Sequence, residues 1–197
     1  MPSQLITFIK SLIRFINAIN EWTGRLIAWL ILLIVLIIIY QTSMVALFAI
    51  GSVSLQELQW HLFALIFLLG AAYTLKHDDH VRVDIIYQSH WISDRGRAWI
   101  DFLGGLLFLV PFCVLIIITS WSFVSAAVTY QVTTSTSWPF ISVVLLYAEG
   151  SPDPGGLPYR FLLKAAIPIG FILLMLQGIA NSLTNLLFLL GIKEGRT

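Results

Sequence analysis

Two histidines three residues apart, with carboxylates beside them, form the densest chemistry in this chain: Lys76, His77, Asp78, Asp79, His80, Val81, Arg82, Val83 and Asp84 in succession. Imidazole and carboxylate together can hold a divalent cation, but a closed site needs further ligands at a defined spacing, and none follows. The stretch abuts a predicted helix end where charge stays hydrated, so it reads as a solvated loop without a metal. Val81, Val83 and Ile85 alternate with Arg82 and Asp84, which predicts a short segment with one apolar face on the membrane. His61 stands alone in an apolar stretch and reads as an interfacial residue. Haem held by two histidines needs them facing each other inside a bundle, and His61 has no counterpart there. Cys113 is the single cysteine, which excludes an internal disulfide and a CxxC centre. Intramembrane serine proteolysis lacks a histidine at depth. The chain therefore reads as a non-enzyme with no cofactor. One further set is polar without charge: Gln177, Asn181 and Asn185 fall at i, i+4 and i+8, a stripe that in lipid seeks another helix.

The elements that carry these residues follow from where charge is missing. Of 197 residues 58% are hydrophobic and only 11% charged, less than half the charged share of a soluble domain, so an integral membrane protein is expected. The net charge of +1 offers no basic excess for nucleic acid. No Asp, Glu, Lys or Arg lies between Arg25 and Glu57, Glu57 and Lys76, Asp101 and Glu149, or Lys164 and Lys193. A helix rises about 1.5 Å per residue and must cross roughly 30 Å of hydrocarbon, so about 20 residues are needed. Spans are placed at 26–48, 58–75, 102–128 and 165–190. The first holds fifteen Leu, Ile, Val or Phe residues, which contribute about −5 to −9 kcal/mol toward insertion. A run such as that at 30–39 has no period-2 alternation, which excludes a β-barrel. The expected fold is all-α, a four-helix membrane bundle.

Basic residues set the expected orientation. With both termini inside, nine of the eleven Lys and Arg lie on the cytoplasmic side and only Arg160 and Lys164 outside. The loop 76–98 is then cytoplasmic and 129–164 periplasmic. Residues 3–22 put Leu5, Ile9, Leu12, Ile16 and Ile19 on one face, and Thr7, Lys10, Ser11, Arg14, Asn17 and Glu21 on another. That pattern predicts an amphipathic helix in the cytoplasmic interface or on a partner subunit, with Trp22 and Trp29 near headgroup level. Ser54 and Glu57 have capping-box spacing and are expected to start the second helix. Gly70, Ala71 and Ala72, like Gly104 and Gly105, suit close helix approach, and Pro111 predicts a kink. Residues 140–147 are too short to cross and read as interfacial or as a loop helix. Three prolines and three glycines between Glu149 and Arg160 predict a constrained, turn-rich loop.

This arrangement resembles the small membrane subunit, DctQ-type, of tripartite ATP-independent periplasmic (TRAP) transporters. The loop motif of that family, a histidine, a hydrophobic residue, any residue, a hydrophobic residue and an aspartate, matches His80, Val81, Arg82, Val83 and Asp84. Asp153 to Arg160, with Lys164, Ile167 to Gly170 and Leu176 to Gly178, resembles the subgroup labelled mannitol/chloroaromatic. The resemblance implies a non-catalytic subunit in the bacterial inner membrane. Its partners are a large membrane subunit on a separate chain and a periplasmic substrate-binding protein, in sodium-coupled uptake of carboxylates. Gly70, Ala71, Gln177, Asn181 and Asn185 are then candidates to contact the large subunit, and Asp153, Tyr159 and Arg160 to dock the binding protein. The alternative is a membrane anchor of a haem- or quinone-linked respiratory enzyme.

Overall fold

A computed structural model describes residues 3–77, 92–133, 143–148, 151–157 and 160–192. Four helical units in it are long and apolar enough to cross a membrane. Helix α1 is Ser3–Phe48 and α2 is Val53–Lys76. The third unit is α3, Asp94–Gly104, a π turn at Gly105–Leu109, and α4, Val110–Ala126. Helix α5 is Phe161–Leu189. Between the third and fourth units, β1 (Val128–Thr133) and β2 (Val143–Ala148) pair antiparallel, Val128 opposite Ala148 and Thr133 opposite Val143. The stretch expected as interfacial or loop helix at 140–147 thus supplies a strand over 143–148; three β-branched or aromatic residues among its six fit that geometry.

Helix α1 differs from the two-part reading, because the amphipathic stretch and the first span form one uninterrupted helix. Nothing at 23–25 breaks it. Thr23 returns its hydroxyl to the Ile19 carbonyl at 3.0 Å. Position 24 accepts only glycine, because the Tyr73 ring occupies the space a side chain would need: a Cβ there would come within 2.1 Å of Tyr73 Cδ2. The irregularity expected at Pro111 takes the form of the π turn just before it. Proline lacks an N–H and its ring crowds the carbonyl four residues back, and a wider turn relieves both.

The units run up and down. Gln41 and Gln59 meet at one end of the α1–α2 pair and Glu21 and Lys76 at the other. Along α5, Lys164 lies over the Phe123 ring, Phe171 meets Phe112, and Ser182 meets Gly105. Helix α5 packs on α1, α2, α3 and α4 and so occupies the centre. It approaches α2 backbone to backbone at Gly170, where a Cβ would lie 2.7 Å from the Leu68 carbonyl oxygen. Of the pair Gly104 and Gly105, only Gly105 sits against another helix.

Backbone cannot yield as a side-chain tip can, so Gly170→Val is expected to cost about 1–3 kcal/mol. Thermal unfolding in detergent should show a lowered midpoint, whereas Gly51→Ala, with its nearest neighbour atom at 3.8 Å, should leave it unchanged.

Candidate functional site

Two polar clusters bracket the bundle. The first is built on the start of α2. The capping residue is Ser52, whose Oγ accepts from Leu55 N at 3.4 Å, two residues before the box read from the sequence. Ser54 and Glu57 are thereby released from capping, and both hold the 151–157 loop. Ser54 Oγ donates to the Gly155 carbonyl. The Glu57 carboxylate accepts from Ser151 Oγ and, at 2.7 Å, from Leu157 N. The loop closes on itself through Ser151 N to Leu157 O and Gly156 N to Asp153 O, both 3.0 Å. Gly155 has a left-handed φ of 80°, and at Gly156 a Cβ would sit 2.9 Å from Glu57 Oε1 and 2.4 Å from Ser151. Both glycines are therefore required by the turn and the close approach.

Glu57 is only 8% exposed. Burial of a carboxylate is tolerable when hydrogen bonds and nearby positive charge replace water, and Arg160 lies near enough to act on it. His61 Nδ1 is 2.6 Å from the Glu57 carbonyl, which makes Nδ1 the protonated nitrogen. Its Nε2 has no partner among the described residues. The outcome is a fixed loop whose Pro152, Asp153, Pro154 and Gly155 tip faces outward. Asp153 is at that tip, Arg160 begins α5, and Tyr159 lies outside the described residues.

The second cluster joins three helices. Asn20 Nδ2 donates to Gln177 Oε1 at 2.6 Å, and Gln177 Nε2 donates to Asn17 Oδ1 at 3.1 Å and Asn181 Oδ1 at 2.9 Å. Asn181 Nδ2 reaches the Leu75 carbonyl at 3.1 Å. Asn20 and Gln177 are each 1% exposed. The helix that the stripe on α5 seeks is thus, for Gln177 and Asn181, one of this chain's own, and Asn185 is buried in the bundle as well. Asn20 was not singled out in the sequence. The available signal was its i+3 spacing from Asn17, which the amphipathic pattern assigns to a polar face. Gly70 and Ala71 are half-buried, and Gly70 faces Ile27.

Beside the amides stands an ionic group. Glu21 meets Lys76 at 2.5 Å, His77 at 3.4 Å and Arg25 at 3.5 Å. Tyr73, seated on Gly24, meets the His77 ring at a tilt of 46°, with ring centroids 4.4 Å apart. This group anchors the root of the loop that carries His80, Val81, Arg82, Val83 and Asp84, all of which lie outside the described residues. No group of three or more His, Cys, Asp or Glu forms among the described residues.

The levels of the two clusters are a bilayer apart. From Glu57 to Lys76 along α2 is 19 residues, about 29 Å of helix, against roughly 30 Å of hydrocarbon. From Glu21 to Gln41 along α1 gives about the same. Residues 34–188 match the family model described as tripartite ATP-independent periplasmic transporters, DctQ component. No curated protein matches the chain.

Two replacements test the clusters. Glu57→Ala removes an acceptor of two hydrogen bonds, one to a backbone amide. Charged hydrogen bonds of this kind contribute enough that amide exchange across 151–157 should rise at least about tenfold. Gln177→Leu keeps the volume but strands the amides of Asn20 and Asn181, and should destabilise the folded chain by about 1–3 kcal/mol in thermal unfolding.

Proposed function

The chain belongs to the DctQ-component family of tripartite ATP-independent periplasmic transporters, and from that membership we propose that it is a non-catalytic brace and docking platform in a sodium-coupled carboxylate transporter. Membership makes it a small membrane subunit of a system that also has a large membrane subunit and a substrate-binding protein. The single observation that carries the proposal is the family match over 34–188. The distribution of charge supports it. Ion-driven carriers place ionisable groups where the ion must pass, whereas Glu57, Glu21 and Lys76 stand at the edges of the hydrocarbon and are engaged in holding helices and a loop together.

In this reading both termini are cytoplasmic, the membrane is the bacterial inner membrane, and 129–164 faces the periplasm. The clasp on Glu57 then presents the Pro152–Gly155 tip to the binding protein, with Asp153, Tyr159 and Arg160 as contacts. The motif from His80 to Asp84 shapes the cytoplasmic loop. The half-buried Gly70 and Ala71 meet the large subunit on α2, while Gln177, Asn181 and Asn185 act on that interface by holding α1, α2 and α5 in register. Assignment to the mannitol/chloroaromatic subgroup rests on the stretch from Asp153 to Gly178 alone and identifies no substrate.

The decisive experiment is co-purification with a large multi-span partner, followed by uptake in liposomes carrying both membrane subunits and supplied with the binding protein. Transport by this chain alone would overturn the proposal. Asp153→Ala with Arg160→Ala should lower uptake several-fold while the two membrane subunits still co-purify; unchanged uptake would remove those residues from docking.

A further inference from the structure

All four aromatic residues that precede Tyr40 fall at one spacing: Phe8, Phe15, Trp22 and Trp29, with Leu36 next in the series. A seven-residue interval is nearly two helical turns, so these side chains form a single stripe along α1. Every one is exposed, between 55% and 72%. The face of α1 that packs into the bundle is a different one, made by Ile16, Asn20, Thr23 and Ile27. Between Phe8 and Trp22, on the same side, come Ser11 and Ala18, both small and exposed, and between Trp22 and Trp29 comes Arg25. Large knobs alternating with small gaps at this period are a surface for another helix.

Lipid does not account for this stripe. At 30–39, by contrast, α1 is apolar on every side and carries no aromatic residue. The Glu21–Lys76 contact brings the last residue of α2 level with Glu21, which marks the edge of the hydrocarbon. Phe15 and Phe8 lie 6 and 13 residues beyond that edge, about 9 and 20 Å along the axis. Acyl chains do not reach them, yet they are as exposed as Trp29. A second copy of this chain is disfavoured by charge. Arg14 and Arg25 are exposed and border the stripe, and of the two Arg25 already has an ion-pair partner in Glu21 at 3.5 Å. Two copies inserted the same way round, related by a two-fold axis along the membrane normal, would set each arginine against its own mate.

We propose that the Phe8, Phe15, Trp22 and Trp29 stripe is the seat of one long helix of the large membrane subunit, a helix that continues past the bilayer and carries an acidic residue opposite Arg14. This rests on the reading of the chain as the small subunit of a two-subunit membrane assembly. The four aromatic residues precede residue 34, where the family match begins.

The test places a photo-reactive benzoylphenylalanine at Phe8, Phe15, Trp22 and Trp29 in turn, in the assembled transporter, with Lys10 and the exposed Trp121 of α4 as controls. Cross-links to the large subunit are expected at all four stripe positions and not at the controls. Adducts only with lipid, or with a second copy of this chain, overturn the proposal. If the large subunit co-purifies but never cross-links to the stripe, the seat is wrong and the small-subunit reading stands; if it does not co-purify with the unmodified chain, both fall. The double variant Phe8→Ser with Phe15→Ser should retain about tenfold less large subunit, with its own thermal unfolding unchanged because both side chains are exposed. Undiminished retention would also overturn the proposal.

Discussion

A polar group in the bilayer core has no water to turn to, and that constraint organises this molecule. Its polar side chains gather at two levels about 29 Å apart, and the helices between those levels meet mainly through apolar and small residues. At one level Glu57 exchanges hydration for Ser151 and the Leu157 amide. At the other, Gln177 hydrogen-bonds to Asn17, Asn20 and Asn181 across α1 and α5, and Asn181 reaches α2. Each cluster ties segments far apart in the chain, 94 residues in one case and 157 in the other. They hold the helix register in a medium where apolar contact by itself discriminates weakly between one helix pairing and another.

The same constraint separates an inner helix from an outer one. Helix α5 carries Gly170 and Gly178, which let neighbouring helices come close, and the amides that fasten it to α1 and α2. Helix α1 touches the bundle along a narrow stripe and leaves the remainder to lipid or to another protein. A subunit built in this way is firm inside and open outside, which suits bracing a larger neighbour. The loop end has the complementary property. Its outward tip is held from beneath by a carboxylate, so in the proposed docking role little ordering would remain to be done on encounter.

Much of the fold was legible in the sequence because hydrocarbon thickness is an external ruler. Gaps in charge located four helices, and only their ends moved, as α2 began at Val53 and the third unit at Asp94. Where local signals competed, the sequence was less informative. Ser52 and Ser54 both offer a capping hydroxyl, and the distant 151–157 loop decided between them by recruiting Ser54 and Glu57. The sequence separates the amphipathic stretch to residue 22 from the span that begins at 26, yet the helix runs through both, and the Tyr73 ring seated on Gly24 is a contact no local pattern announces.

The sequence by itself determined that this chain crosses a membrane, how many times, and that it is similar to small transporter subunits. Those properties depend on composition along the chain and on short motifs. The tertiary structure decided what each lone polar residue does. Glu57, read as a helix-end charge, is a loop anchor, and the Gln177 stripe closes largely inside the chain. Hydrogen-bond partners 94 to 160 residues away leave no periodicity to read. They exist only once packing has brought helices of opposite direction to the same level in the bilayer.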